Sequence, residues 1–277
     1  MKRLTLLLAL TLLLTACASP KKEDAPTPAA ELDVHFFDAG KADAILLTTA
    51  NSAVLIDAGE KGFGKTILAY LEEQGVERLD ALIVTHFDQD HVGGAAKVLN
   101  SIAVDAVLQS NHPKDSEAYE KYVKALTNAN IEPLTVRETY TFTLDGVSYT
   151  VDPPRQATYD EDASNNSSLI VTVTNGGSRF LFMGDAQTER LAEFLDGGVA
   201  ACDVLKLAHH GKDEPLLGAL LDAAKPAYAV VTSSDEEPES AATVAALEAA
   251  GAEVLLTREG AVTLHSDGKR IDVLRAG

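Results

Sequence analysis

Tryptophan is absent from this 277-residue sequence, cysteine occurs only twice, and 23 Lys and Arg face 42 Asp and Glu. Two cysteines exclude a disulfide framework and any zinc ribbon built on four thiolates. The shortage of positive charge leaves a formal net of −19. That excludes a broad basic surface for gripping duplex nucleic acid, whose phosphates are repelled by a uniformly acidic face. It does not exclude a polyanionic substrate at one metal-loaded cleft. Apolar runs are short, and none reaches the roughly 20 residues that cross a bilayer as a helix. Core-forming material is nevertheless plentiful. The hydrophobic fraction is 46%, and a chain of this size folds without staples, as one large domain or two small ones.

The longest apolar run comes first. Met1-Lys2-Arg3 is a basic start, and residues 4–14 (LTLLLALTLLL) contain only Leu, Ala and Thr. Such a run is too short to span a membrane but fits the core of an export signal. It ends Leu14-Thr15-Ala16-Cys17, which resembles a bacterial lipobox. The resemblance implies cleavage before Cys17, lipidation of that cysteine, and an extracytoplasmic protein anchored to a bacterial membrane. Residues 1–16 are then a signal peptide. Residues 17–31, rich in Pro, Ala and charge, are the lipidated cysteine and a flexible tether. Loss of Lys2 and Arg3 takes the formal charge from −19 to −21. Cys202, in an apolar run and without a partner, is expected as a small core residue.

Residues 32–277 read as one α/β domain, expected to be two mixed β-sheets flanked by helices. LDVHFF, AILLTT and SAVLID are short apolar or β-branched runs joined by Gly or Asn turns, the pattern of strands. Residues 64–74 have helical spacing and stop at Gly75. LDALIVT, residues 79–85, is apolar nearly throughout, which implies a strand buried on both faces. Further helices are expected over 93–100, 115–129 and 186–196, and strands over 103–108, 139–144, 147–151 and 203–208. Helix–strand units follow over 215–231 and 240–256, and the last hairpin pairs 261–265 with 270–274. The polar stretch 152–168 is long for a loop in a packed domain, and such loops are often functional.

Chemistry concentrates at strand ends. Directly after LDALIVT come His86, Asp88, Asp90 and His91, then Gly93-Gly94. Two imidazoles and two carboxylates within six residues, in a chain with 7 His, form a dense set of nitrogen and oxygen donors suited to zinc or manganese. A second strand, FLFMGD, ends in Gly184-Asp185, and a third, DVLKLAHHG, ends in His209-His210-Gly211. Alone, Gly-Asp is a common turn and a His pair is ambiguous. Three strands delivering His and Asp to their carboxyl ends form a joint pattern far more specific than any one of them.

The order H-x-D-x-D-H, Gly-Asp, His-His-Gly resembles the metallo-β-lactamase superfamily, and within it the hydrolase domain of the ComEC-like competence proteins and its stand-alone relatives. Residues 34–44 (VHFFDAGKADA), 54–59 (VLIDAG) and 165–169 (NNSSL) resemble further motifs of that branch. The resemblance covers about residues 32–270 and implies an αβ/βα sandwich with its site at the sheet edges. It implies one or two divalent ions: His86 and Asp88 at one position, Asp90, His91 and His209 at the other, and Asp185 bridging. His209 is preferred to His210 as the ligand, because the ligand usually sits at the strand end, and His210 is then expected to face substrate. Asp57 is expected to support the ligands rather than bind. A histidine usual in the superfamily before the Gly-Asp strand is missing, with Asn165 and Asn166 in its region, so the first position is oxygen-rich. Lys212 and Lys41-Ala42 also depart from the branch pattern. Asn165, Asn166 and Lys212 are the candidate residues on the substrate side.

The expected reaction is hydrolysis by a metal-activated water. Asp88 or Asp90 would orient that water or carry its proton, and His210 would serve as acid toward the leaving group. A phosphodiesterase or DNA nuclease follows from the ComEC-like resemblance, with no extensive duplex-binding surface and a monomeric protein expected. The acidic charge fits small substrates better, which keeps open a lactonase, a β-lactamase-like amidase or a phosphorylcholine esterase at the cell envelope. A non-catalytic metal-binding module is the third reading. Lys61, Lys65, Arg155 and Lys212 are the basic residues near the expected site loops.

Overall fold

Alternation along the strands sets the architecture. In the strand Ala44–Thr48, Ile45 and Leu47 enter one buried cluster while Ala44 and Leu46 enter another, so both faces of the sheet are covered. The same division recurs in Ala81–Val84, and in Ser178–Phe182 Phe180 and Phe182 face the first cluster while Leu181 faces a third. Strands apolar on both faces belong between two layers, and this chain builds four: helices, sheet, sheet, helices.

The computed structural model describes residues 29–275. The expected signal peptide, the expected lipobox with Cys17 and most of the expected tether lie outside the described residues. In chain order the elements are β1 (Leu32–Phe36), β2 (Ala44–Thr48), β3 (Ala53–Ala58), α1 (Gly64–Glu73), β4 (Arg78–Leu79), β5 (Ala81–Val84), α2 (Gln89–Val92), α3 (Ala95–Leu99), β6 (Ala103–Val104), β7 (Val107–Gln109), α4 (Glu117–Ala129) and β8 (Leu134–Thr135). The second half contains β9 (Tyr140–Leu144), β10 (Val147–Asp152), α5 (Ala163–Asn166), β11 (Ile170–Asn175), β12 (Ser178–Phe182), α6 (Thr188–Asp196), β13 (Val204–Lys206), α7 (Leu217–Ala224), β14 (Tyr228–Val231), α8 (Ala241–Ala249), β15 (Glu253–Leu256), β16 (Val262–Ser266) and β17 (Ile271–Arg275).

One sheet has the order β17-β16-β1-β2-β3-β5-β7-β8 and the other β15-β14-β13-β12-β11-β10-β9. Each is antiparallel on one side and parallel on the other. Pairing turns parallel at β3–β5 in the first sheet and at β12–β13 in the second. Helices α1, α3 and α4 cover the outer face of the first sheet, and α6, α7 and α8 that of the second. The α/β class and the two mixed sheets flanked by helices are therefore as expected.

Local differences have local causes. The apolar run 79–85 is broken at Asp80, whose carboxylate accepts the Ala53 N–H at 2.8 Å. Leu79, ahead of the break, instead joins Arg78 in β4, which pairs with β6 in a separate two-stranded ribbon. The helix expected over 93–100 is α3, preceded by the short α2 that carries Asp90 and His91. Gly94 separates them because a Cβ there would lie 2.1 Å from the Ala58 carbonyl oxygen. The long polar loop contains the short helix α5.

Phe36 of β1 and Phe182 of β12 stack across the two sheets with ring centroids 6.0 Å apart, both fully buried. Phe182→Ala therefore leaves a cavity between the layers and should lower stability by about 3–5 kcal/mol in urea unfolding. Truncating Leu274, which is 50% exposed, should change it by less than about 0.5 kcal/mol.

Candidate metal centre

The chemistry lies where the parallel strands of both sheets end. Asp57 closes β3, Thr85 and His86 follow β5, and Asp90 and His91 sit on α2 just beyond. From the second sheet, Gly184-Asp185 follows β12, His209-His210 follows β13, and Thr232 follows β14. Crevices at the carboxyl ends of parallel strands are the usual ligand sites of α/β sheets. The backbone bends sharply to bring these groups together. Asp57, His209 and His210 all hold left-handed conformations, with φ of 55°, 47° and 55°, and residues other than glycine persist there only when the surroundings enforce it. Gly184, at φ 53°, makes the matching turn ahead of Asp185 and packs against Ser168.

Four side chains converge. Asp90, His91, Asp185 and His210 each offer a ligand atom, and these atoms all lie within 4.8 Å of one another. His91 Nε2 is 3.2 Å from Asp185 Oδ1, and His210 Nε2 is 3.2 Å from Asp185 Oδ2 and 3.6 Å from Asp90 Oδ2. Yet His91 Nε2, His210 Nε2 and Asp185 Oδ1 are buried without a hydrogen bond of acceptable geometry, and so is His86 Nε2. Buried polar atoms are seldom left unpaired. Lone pairs facing one another in this way fit a divalent cation held by two nitrogens and two carboxylates.

A second layer holds each ligand in place. His91 donates through Nδ1 to Asp57 Oδ2 at 2.8 Å, and Asp57 also accepts from the Thr85 N–H at 2.8 Å and the Thr85 hydroxyl at 2.6 Å. His210 donates through Nδ1 to the Thr232 carbonyl at 2.9 Å. Carboxylates and carbonyls only accept, so these contacts put the proton on Nδ1 and leave Nε2 as the ligand atom. Thr232 in turn donates to Asp43 Oδ1 at 2.7 Å, and the Lys206 ammonium, fully buried, pairs with Asp43 Oδ2. Asp185 is held by its backbone N–H, which donates to Ser168 Oγ at 3.1 Å.

The electrostatics follow from burial and from this clustering of acids. Burial disfavours the His91 cation, but the charges of Asp185 and Asp57 outweigh it and hold its pKa well above the usual value. His210 is raised likewise: burial opposes its charge, and Asp185, Asp90 and Asp43 overcome that. Burial works against the Asp185 carboxylate as well, and His210 and His91 nonetheless keep it far below the usual carboxylate range. His86 behaves differently. Burial, reinforced by repulsion from His91, brings it down to about 4 and keeps it neutral.

The remaining expected site residues separate into two groups. Asp88 and Lys41 border the cluster: Asp88 Oδ1 lies 3.9 Å from His86 Nε2, and Lys41 Nζ is 3.1 Å from Asp90 Oδ2. His209 corrects the expectation that it, rather than His210, joins the cluster. It faces Gln187 at 3.1 Å and Asn165 at 3.5 Å, because the two successive left-handed residues swing His210 inward and His209 out. Asn166 is buried and structural rather than facing substrate; its Oδ1 accepts from the Gln187 and Arg190 N–H groups. Lys212 is exposed, 4.0 Å from Glu237. Lys61 is exposed beside Glu117 and Arg155 points at Asp196, so the basic groups at the rim are instead Lys41 and Lys114.

Sequence reasoning missed Asp43, Lys206, Thr232, Lys114 and Arg190. The buried Arg190 guanidinium donates to the Ser168 carbonyl at 3.0 Å and to Asp152 Oδ1 at 2.7 Å, and so fixes the segment before Asp185. A basic residue inside an otherwise apolar strand or helix face was the available signal for both Lys206 and Arg190.

A two-sheet αβ/βα sandwich presenting His and Asp at the carboxyl edges of both sheets defines a metal-dependent hydrolase fold. The chain belongs to the metallo-beta-lactamase superfamily, whose sequence pattern matches residues 37–233. It is 29% identical over 225 residues to competence protein ComA of Neisseria gonorrhoeae, covering 80% of this chain and 30% of that protein. It is also 29% identical over 210 residues to ComE operon protein 3 of Bacillus subtilis, covering 67% of this chain and 26% of that protein. The chain thus spans under a third of the length of these relatives. Among solved structures, the metallo-beta-lactamase fold protein YhfI from Bacillus subtilis superposes with a TM-score of 0.57 at 12% identity, over 86% of this chain and 100% of that one.

The Asp57–His91 contact yields a direct test. Asp57→Asn keeps a residue that tolerates the left-handed backbone but weakens the acceptor that orients His91. Metal affinity by isothermal titration should fall about 10–100-fold, with the circular dichroism spectrum unchanged.

Proposed function

We propose that this protein is an exported, lipid-anchored, metal-dependent phosphodiesterase that degrades DNA strands, of the ComEC-like type. The observation that carries the hydrolytic part is the convergence of Asp90, His91, Asp185 and His210 at the carboxyl edge of both sheets, with His91 Nε2, His210 Nε2 and Asp185 Oδ1 unpaired. These four residues would hold a divalent ion, zinc or manganese. When bound, such an ion acidifies a water molecule and polarises a phosphoryl or carbonyl oxygen. The likeness to competence-type proteins supports the phosphodiester substrate.

The side chains divide the remaining work. Asp57 and the Thr232 carbonyl keep His91 and His210 in the tautomer that presents Nε2. Asp90, reached by both Lys41 and His210, is kept ionised by His210 and His91 against the effect of burial and is the carboxylate placed to orient a water. Lys41 and Lys114 offer positive charge at the rim to an anionic substrate. His209 stands within reach of the Lys41 charge, half-buried and with its pKa lowered by burial; neutral near pH 7, it is positioned to hydrogen-bond substrate. The catalytic acid expected at His210 is reassigned accordingly, since His210 belongs to the ion-binding set.

One observation favours a second reading. With a formal charge of −19 and few cations at the rim, the site suits a small ester or lactone at the cell envelope as well as a nucleic-acid end.

The purified protein loaded with manganese or zinc should hydrolyse bis-p-nitrophenyl phosphate and single-stranded DNA. A chelator should abolish turnover and re-addition of metal should restore it. Asp185→Asn should lower kcat by at least about 100-fold, the scale on which removal of one electrostatic group acts. Hydrolysis of lactones alone by metal-loaded protein would overturn the nuclease reading. For the anchor, Cys17→Ala should move the protein from the membrane fraction to the soluble one; unchanged membrane association would overturn lipidation.

A further inference from the structure

The two sides of the cluster are not equivalent. On the side of Asp90, His91, Asp185 and His210, His91 Nε2, His210 Nε2 and Asp185 Oδ1 face one another without hydrogen-bond partners, while Asp90 Oδ2 accepts one bond, from Lys41. Facing His86, Asp88 approaches with Oδ1 3.9 Å from Nε2, and the Asp185 charge also acts on the ring. The Asp88 oxygen is already engaged twice. Lys114 Nζ donates to it at 2.5 Å, and the Ser164 hydroxyl donates to it as well. A carboxylate oxygen has about two lone-pair positions, so a cation binding at Oδ1 would have to displace Lys114 or Ser164. Among the described residues no additional histidine stands there: Asn165 and Asn166 occupy the region where the resemblance to the superfamily places one. Asn165 turns toward Gln187 and His209, and Asn166 toward Glu161 and Arg190.

We propose that this protein binds a single divalent ion, through Asp90, His91, Asp185 and His210, and that the Lys114 ammonium, paired with Asp88, takes the place of a second one. The inference rests on the metal-dependent reading above and narrows it. Lys114 lies on the segment after β7 and has a side-chain exposure of 37%, so it reaches in from the rim rather than from the core. In that position it holds Asp88 as a paired carboxylate and puts a single positive charge on the side of the cluster that His86 faces. It acts there as a hydrogen-bond donor, and a fixed cation that needs no added metal remains available to an anionic substrate.

Metal stoichiometry tests the proposal without relying on turnover. Manganese titrated into the purified full chain should bind at one equivalent and give the electron paramagnetic resonance spectrum of an isolated ion. Lys114→Met removes the charge and keeps the aliphatic stem. It should bind a second equivalent, or bind it at least tenfold more tightly than the wild type, with a spin-coupled pair in the spectrum. Lys114→Met should keep the first equivalent at wild-type affinity, which shows that it is folded, and Asp88→Asn should retain that equivalent as well. Two equivalents in the wild type, a Lys114→Met protein indistinguishable from wild type, or loss of the first equivalent in Asp88→Asn would each overturn the single-ion assignment while leaving the metal-dependent reading intact. A wild type that binds no divalent metal would overturn both.

Discussion

Burial of negative charge at the seam between the two sheets is the constraint to which the rest of the site answers. Asp43, Asp57 and Asp185 are each almost completely inaccessible to water, and an uncompensated carboxylate in such a place costs several kcal/mol. Lys206 supplies one permanent positive charge from within β13. The other two needed for balance come from His91 and His210, both driven toward the cation by the carboxylates around them. A divalent ion bound to Nε2 of both imidazoles would displace those protons and bring two positive charges of its own. The seam is therefore neutral with protonated histidines or with one dication and neutral histidines.

The same seam explains why the backbone is unusual where it is. Three non-glycine residues with positive φ, Asp57, His209 and His210, lie at the ends of strands that are otherwise regular and fully buried. Each such residue costs on the order of 1 kcal/mol or more. The strands on either side offset it, because β3 and β13 are packed on both faces and hydrogen-bonded on both edges. Rigid strands thus end in strained corners that aim side chains at one point.

How much of this could be read from the sequence depended on the range of each interaction. The strands and helices were legible because their apolar periodicity is local, and the His/Asp clusters because their density is rare. The choice between His209 and His210 was not legible. Adjacent residues differ only in which way a left-handed turn points them, and that is set by contacts with Thr232, Gln187 and Asn165, which are distant in sequence. Asp43 and Lys206 are separated by 163 positions, and nothing in either neighbourhood signals the other. The break at Asp80 was hidden for the same reason: its partner is the Ala53 backbone across the sheet.

The acidity of the chain takes on a more specific meaning with the site in view. A protein of formal charge −19 attracts no polyanion at long range, so affinity for a phosphodiester has to come from short-range contacts. Lys41 and Lys114 are placed to provide them, and each is at present tied to a carboxylate of the same loop, Asp90 and Asp88. Any anion entering the site competes with those carboxylates for the lysines. Competition of this kind penalises weakly bound anions and rewards one that engages both cations and the ion-binding cluster together. The acidic surface and the paired lysines therefore act in the same direction, favouring a short phosphodiester segment or strand end seated at the centre over a duplex lying across the surface.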